Sequence, residues 1–321
     1  MMPNKSLFLP RQIKRAHLGM LFWALLVGLS FPVVGLMSEG LPPLLLTSIR
    51  FAIAILAIGP LVWRQREGWP SLPGVVLYVF MGICLSVFFG VMFWVAHRVT
   101  ALSMATLYVC VPLMAYGLGR GLGVESRAGQ LLGILMLGAL GALGLVWAEA
   151  GGEFAELQFG LGELAYFGGC LASALYPVLS KWGLHKGWLS KQASTRTFWS
   201  LLSGSFLIGF FGLVWEAPLA LTTMTLSDIF LLLYLGVFSS GMTFWLQHGA
   251  TAVLTPGAVM AYSYLVPFVS MLLLFFAQPE LMTWYWLPGN VLVVAAITLL
   301  LRQPVVADSD LGVPQWKCSS N

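Results

Sequence analysis

The feature that most constrains this chain is the recurrence, from end to end, of apolar runs long enough to cross a bilayer. A spanning helix needs about 20 mostly apolar residues. Such runs lie near 17–37, 42–63, 72–96, 101–119, 129–147, 160–180, 194–215, 229–246, 254–277 and 282–301. Short polar connections separate them, among them Ser38-Glu39-Gly40-Leu41 and Arg64-Gln65-Arg66-Glu67-Gly68. In hydrocarbon only a helix or a closed barrel satisfies its own backbone, and runs of this length select the helix. The expected fold is an all-α integral membrane protein with ten transmembrane helices. Only 9% of the residues are charged, against roughly 25% in soluble domains. The net charge of +4 is scattered singly between apolar runs, so no basic face suits nucleic acid.

The basic residues also set an expected direction. With the amino terminus in the cytoplasm, the inner connections and tails collect Lys5, Arg11, Lys14, Arg15, Arg64, Arg66, Arg120, Arg127, Lys181, Lys186, Lys191, Arg302 and Lys317. The outer connections then hold only Arg98. This is the positive-inside distribution, and an odd number of spans would destroy it. The chain is expected in a plasma membrane, bacterial inner membrane included, with both termini cytoplasmic. The basic amino-terminal segment runs into a stretch of spanning length with no small-residue cleavage site, so no removable signal is expected.

The ten runs divide into two sets of five. Phe93-Trp94-Val95-Ala96-His97 recurs as Phe244-Trp245-Leu246-Gln247-His248, at an offset of 151. Thr100 and Val111-Pro112 recur as Thr255 and Val266-Pro267 at 155, so the second copy carries a four-residue insertion. Arg50 and Arg196 correspond at 146, and Phe31-Pro32 and Tyr176-Pro177 stand one residue out of that register. An odd number of spans per unit requires the second to insert upside down. Two inverted five-helix repeats are a recurrent transporter plan, with the substrate near the midplane between them. The expected organisation is a tail over 1–16, a first unit over 17–148, an outer linker over 149–159, a second unit over 160–301 and a tail over 302–321.

With these residues in place the chain resembles the EamA-type branch of the drug/metabolite transporter superfamily. The resemblance rests on Gly28-Leu29-Ser30-Phe31, Gly40-Leu41-Pro42-Pro43 with Arg50-Phe51, Ala174-Leu175-Tyr176 with Ser180-Lys181, and the fourth-span patterns ending in Pro112 and Pro267. Where the family often has tryptophan before the first-span glycine this chain has Val27, with Ser173 as its counterpart. The resemblance implies secondary transport of a small metabolite by alternating access, often export of an amino acid or related compound.

Candidate site residues follow from position and chemistry. The substrate cavity is expected between the first, third and fourth spans and the sixth, eighth and ninth. Arg50 lies about eight residues into its span, roughly 12 Å along the helix. A charge within the membrane costs several kcal/mol and so points to function, or else to a structural clamp. Arg196, near the inner surface, suits an anchor equally. Trp94, Tyr108, Tyr176, Trp245, Tyr262 and Tyr264 offer ring faces to a substrate, although tryptophan and tyrosine also form interfacial belts. His97 and His248 suit a gate or proton acceptor, or the capping of a helix end, and Glu163 joins them as a proton candidate. Pro32, Pro112, Pro177 and Pro267 free backbone carbonyls inside spans, as hinges or as static kinks.

No metal or cofactor is expected. Cys84, Cys110, Cys170 and Cys318 lack ligand spacing, and the four histidines lie far apart. Gly129, Gly133, Gly138, Gly141 and Gly144 make the fifth span a surface for close helix packing, within the chain or against a second copy. The expected partners are a small-molecule substrate and the lipid bilayer. An intramembrane enzyme and a non-transporting scaffold or sensor are the rival classes. The first would need paired acids or a nucleophile set within the spans, and the second would not need matched repeats.

Overall fold

A computed structural model describes residues 10–96, 98–125, 129–149, 160–279 and 283–303. Among them the regular structure is helical throughout: α1 (Pro10–Gly35), α2 (Pro43–Gln65), α3 (Leu72–Val95), α4 (Ala101–Tyr108), α5 (Val111–Gly121), α6 (Gly129–Glu149), α7 (Leu161–His185), α8 (Ala193–Trp215), α9 (Leu226–Tyr234), α10 (Thr243–Val253), α11 (Pro256–Met260), α12 (Leu265–Ala277) and α13 (Trp286–Arg302). A π-helical segment, Leu235–Met242, joins α9 to α10, and a 3-10 turn, Ala261–Tyr264, joins α11 to α12.

Seven helical stretches among these residues are long and apolar enough to cross a membrane. They are Arg11–Gly35, Pro43–Gln65, Leu72–Val95, Gly129–Glu149, Ala193–Trp215, Leu226–Val253 and Pro256–Leu273. The other three expected runs differ for physical reasons. The run near 101–119 is broken into α4 and α5, α7 is long but more polar, and α13 is apolar but short. Outward faces are unmistakably lipid-like. Val75, Val79, Phe80 and Val87 of α3, and Phe206, Phe210 and Leu213 of α8, are all exposed, an area no water-soluble monomer presents.

The packing is symmetric under exchange of α1–α6 with α7–α13. α2 lies along α8 and α6 along α13; α3 on α7 is matched by α1 on α10, and α5 on α7 by α1 on α12. The pairs at the centre run antiparallel. At one end of the α2–α8 pair, the Glu216 carboxylate accepts hydrogen bonds from the Leu44 and Leu45 amides, at 2.8 and 2.9 Å. At the other, Gln65 accepts from the Ser194 and Thr195 hydroxyls at 3.0 and 3.2 Å. In α6–α13, Gly141 faces Val293 while Gly289 faces Leu145. These contacts consume Gly141 and Gly144, and Tyr264 covers Gly138. The glycine face considered for a second copy is therefore occupied within the chain over those three positions; only Gly129 and Gly133 are left with open space.

The fourth run is broken at Val109-Cys110, and the ninth passes through a 3-10 turn at the matching place. Proline lacks an amide hydrogen and clashes with the carbonyl four residues earlier, which for Pro112 is that of Tyr108 and for Pro267 that of Ser263. α4 ends at Tyr108, and the 3-10 turn ends at Tyr264. Pro32 and Pro177, by contrast, lie inside the unbroken helices α1 and α7.

Candidate substrate site

Between the halves, a line of rings runs from α4 to α10. Tyr108 meets Phe88 at 6.0 Å between centroids, Phe88 meets Phe89 at 5.2 Å, and Phe89 meets Phe51 at 5.5 Å. Phe51 then meets Phe244 at 6.0 Å, Phe244 meets Tyr176 at 5.6 Å, and Tyr176 meets His248 at 5.3 Å. Most of these are edge-on or tilted, the arrangement favoured by ring quadrupoles. Tyr108 and Tyr176 thus belong to one aromatic system although they come from different halves.

Beside it the π-helical segment turns two hydroxyls toward α2. Arg50 Nε donates to Ser240 Oγ and Nη2 to Ser239 Oγ, both at 3.2 Å. Close approach is possible because the segment carries glycine where it meets α2. A Cβ at Gly236 would lie 2.5 Å from Ile53 Cγ2, and Gly241 abuts Ala54. A π-helical turn is rare overall but frequent at functional sites.

The second arginine is used differently. Arg196 is fully buried; Nη1 donates to the Ser190 and Lys191 carbonyls at 2.7 and 3.2 Å, and Nη2 to the His248 carbonyl. Lys181 Nζ donates to the Ala252 carbonyl at 3.3 Å. Lys181 thus serves a last-turn carbonyl of α10, where a helix end carries partial negative charge, and Arg196 a carbonyl one turn earlier. Lys181 therefore lies within α7 and is buried, not in the connection after it.

His248 does not close a span at the surface. Its Nε2 lies 2.8 Å from Tyr176 Oη and its Nδ1 2.9 Å from Ser180 Oγ, all of them buried. Tyr262 is likewise withdrawn: its hydroxyl is 2.6 Å from His17 Nδ1 and none of its surface is exposed. Tyr264 packs on α6. Trp94 and Trp245 are 43% and 41% exposed, and Arg98 stacks on the Trp94 ring at 4.5 Å. Both tryptophans thus present much of their ring surface outside the helix packing and stand apart from the ring line. Glu163 is turned back on its own helix, accepting the Gly160 amide at 3.0 Å. His97 lies outside the described residues.

Several site residues carry no sequence signal. Ser239, Ser240 and Phe89 are of types common throughout the spans; only the glycines flanking the serines hint at a close approach, whereas Phe244 opens the second copy of the repeated string. His17 had no repeat partner to mark it. Two cavities open away from this centre. One of 480 Å³ is lined by Gly40 to Pro43, Phe93, Ala96, Glu216, Ala217 and Ala220, and one of 290 Å³ lies between the connections 67–71 and 187–190. Each combines the connection after the second helix of one half with that after the first helix of the other, so they too exchange under the symmetry of the fold.

No metal-holding group of histidine, cysteine or acidic side chains occurs among the described residues. No curated protein sequence matches the chain. A protein of known crystal structure is similar in fold, with a TM-score of 0.72 and 17% identity over 90% of this chain and 96% of its own. The profile of the EamA-like transporter family matches twice, at residues 14–147 and 160–302. The two matches divide the chain where its packing divides, and together they place it in the EamA-like transporter family, within the drug/metabolite transporter superfamily.

Proposed function

We propose that the protein is a secondary transporter that moves a small metabolite, in the first instance exporting an amino acid or related compound, by alternating access. Ten spans in two inverted five-helix units, over 17–148 and 160–301, would carry it, with both termini in the cytoplasm. The observation that supports this most is the antiparallel packing of corresponding helices, α2 on α8 and α6 on α13. Antiparallel equivalents are what an inverted pair of units requires, and a site between such units can be offered to either side by rocking one against the other. The turn between α4 and α5 and the 3-10 turn between α11 and α12 are points at which the fourth and ninth runs can bend. The two exchange-related cavities are candidates for the two mouths of the site.

Reconstitution into sealed proteoliposomes loaded with a metabolite mixture is the direct test. Time-dependent movement of a solute, absent from empty vesicles, is expected. Correctly folded protein that moves nothing from a broad mixture would favour a scaffold or sensor, and chemical conversion without movement would favour an enzyme.

A further inference from the structure

We propose that Arg50, with Ser239 and Ser240, forms the subsite that holds a carboxylate of the transported molecule, an assignment that rests on the transporter reading. Arg50 and Arg196 occupy corresponding positions, and their surroundings differ in the one respect that matters for a cation. Arg196 has carbonyl oxygens against its Nη groups, so its charge meets the negative ends of peptide dipoles. Arg50 meets two hydroxyls and nothing else among the described residues, with no carboxylate or carbonyl as a partner. A guanidinium has five N–H groups. Nε and one hydrogen of Nη2 are used, leaving Nη1 and the second Nη2 hydrogen in the fork geometry that pairs side by side with a carboxylate.

The serines complete the site. Each hydroxyl accepts from Arg50 and so keeps its own hydrogen to donate, and the natural recipient beside a guanidinium is an anion. Arg50 is partly accessible while Ser240 is fully buried, so the open side of the fork is the approach and the serines are its floor. Phe244, one helical turn after Ser240 at the start of α10 and only half-buried, offers an apolar ring to the rest of the molecule and meets the fully buried Phe51 at 6.0 Å. The class this selects is a small carboxylate with an apolar body. Neither a neutral amide nor an organic cation answers the unbalanced charge.

The test uses the purified full-length chain in detergent and matched pairs differing only at the carboxylate: leucine and leucinamide, phenylalanine and phenylalaninamide, benzoate and benzamide. At least one acid should raise the melting temperature while its amide does not. R50Q should abolish that shift, and R50K should weaken it by about tenfold, because lysine lacks the fork. The S239A/S240A double variant should weaken it severalfold. Equal shifts from acid and amide, no shift from any acid, or R50Q binding the acid as the native protein does would each overturn the assignment. Should R50Q fail to fold, native-like discrimination in the double variant would overturn it instead. Transport assays separate the two failures. Movement of an uncharged or cationic solute that R50Q leaves intact would defeat the carboxylate subsite and keep the transporter. Acid binding without any transport would do the reverse.

Discussion

At the residue scale, polar side chains in this protein do two jobs, and position along the chain does not tell them apart. Arg50 and Arg196 correspond in sequence, yet Arg196 binds backbone carbonyls and Arg50 faces hydroxyls. The difference lies in what the neighbouring element offers, and that neighbour is fixed only by tertiary packing. Glu216 illustrates the structural job. Both of its oxygens accept first-turn amides of α2, at 2.8 and 2.9 Å, where an anion also meets the positive end of the helix. Loss of such a cap costs roughly 1 kcal/mol. E216A should therefore lower the melting temperature, and E216Q, which keeps one acceptor, should lower it less. Equal melting of E216A and native protein in detergent would remove the cap from the account. Asp228 has the same character: it accepts from the Ser38 amide and hydroxyl and from the Thr225 amide.

At the element scale, hydropathy located the helices well and their interruptions poorly. An apolar run reads the same whether it is one helix or two, so the break between α4 and α5 and the π-helical segment after α9 left no trace in composition. The prolines did mark the breaks, because a missing amide has a fixed address, but Pro32 and Pro177 carried the same mark without a break. Glycine was legible as a packing residue and not as to its partner. A Cβ at Gly289 would stand 2.8 Å from both the Gly141 carbonyl oxygen and the Leu145 amide nitrogen. Those are backbone atoms, which cannot rotate aside. G289A should accordingly separate α13 from α6 and lose roughly 1–3 kcal/mol, the usual cost of overpacking. Gly133 meets nothing within 4 Å, so G133A should be neutral or slightly stabilising by helix propensity. The pair is read by thermal unfolding in one detergent. Tolerance of G289A together with loss at G133A would mean that the glycine face meets a second copy.

At the scale of the whole molecule, the repeat strings, the matched prolines and the offset arginines foretold a chain that packs as two exchangeable halves. They did not foretell which surfaces those halves share, since the contacts of α2 with α8 and α6 with α13 depend on small residues scattered through both. The inverted arrangement carries a topology with it. Reporters after Arg66, Lys186 or Gln303 are expected in the cytoplasm and one near Glu39 outside; termini on opposite faces would undo it. It also bears on the driving force. Carriers driven by protons place an ionisable group where it can be reached from either side in turn. Here most of the described carboxylates are held by hydrogen bonds at helix ends or between connections: Glu216 on α2, Glu163 on Gly160, Glu125 on Gly257, Asp228 on Ser38 and Thr225, and Glu67 on Ser190. His248 has a hydroxyl against each ring nitrogen, and His17 has Tyr262. Committed in this way, these groups are not open proton sites, and we expect facilitated transport or exchange. An imposed pH gradient across proteoliposomes should then leave the final distribution of substrate unchanged, while preloaded substrate on the far side should speed entry. Any proton dependence should vanish on substituting Glu163, His97, His248 and His17. Concentrative uptake that follows the gradient and survives all four substitutions would place the coupling group elsewhere and exclude simple exchange.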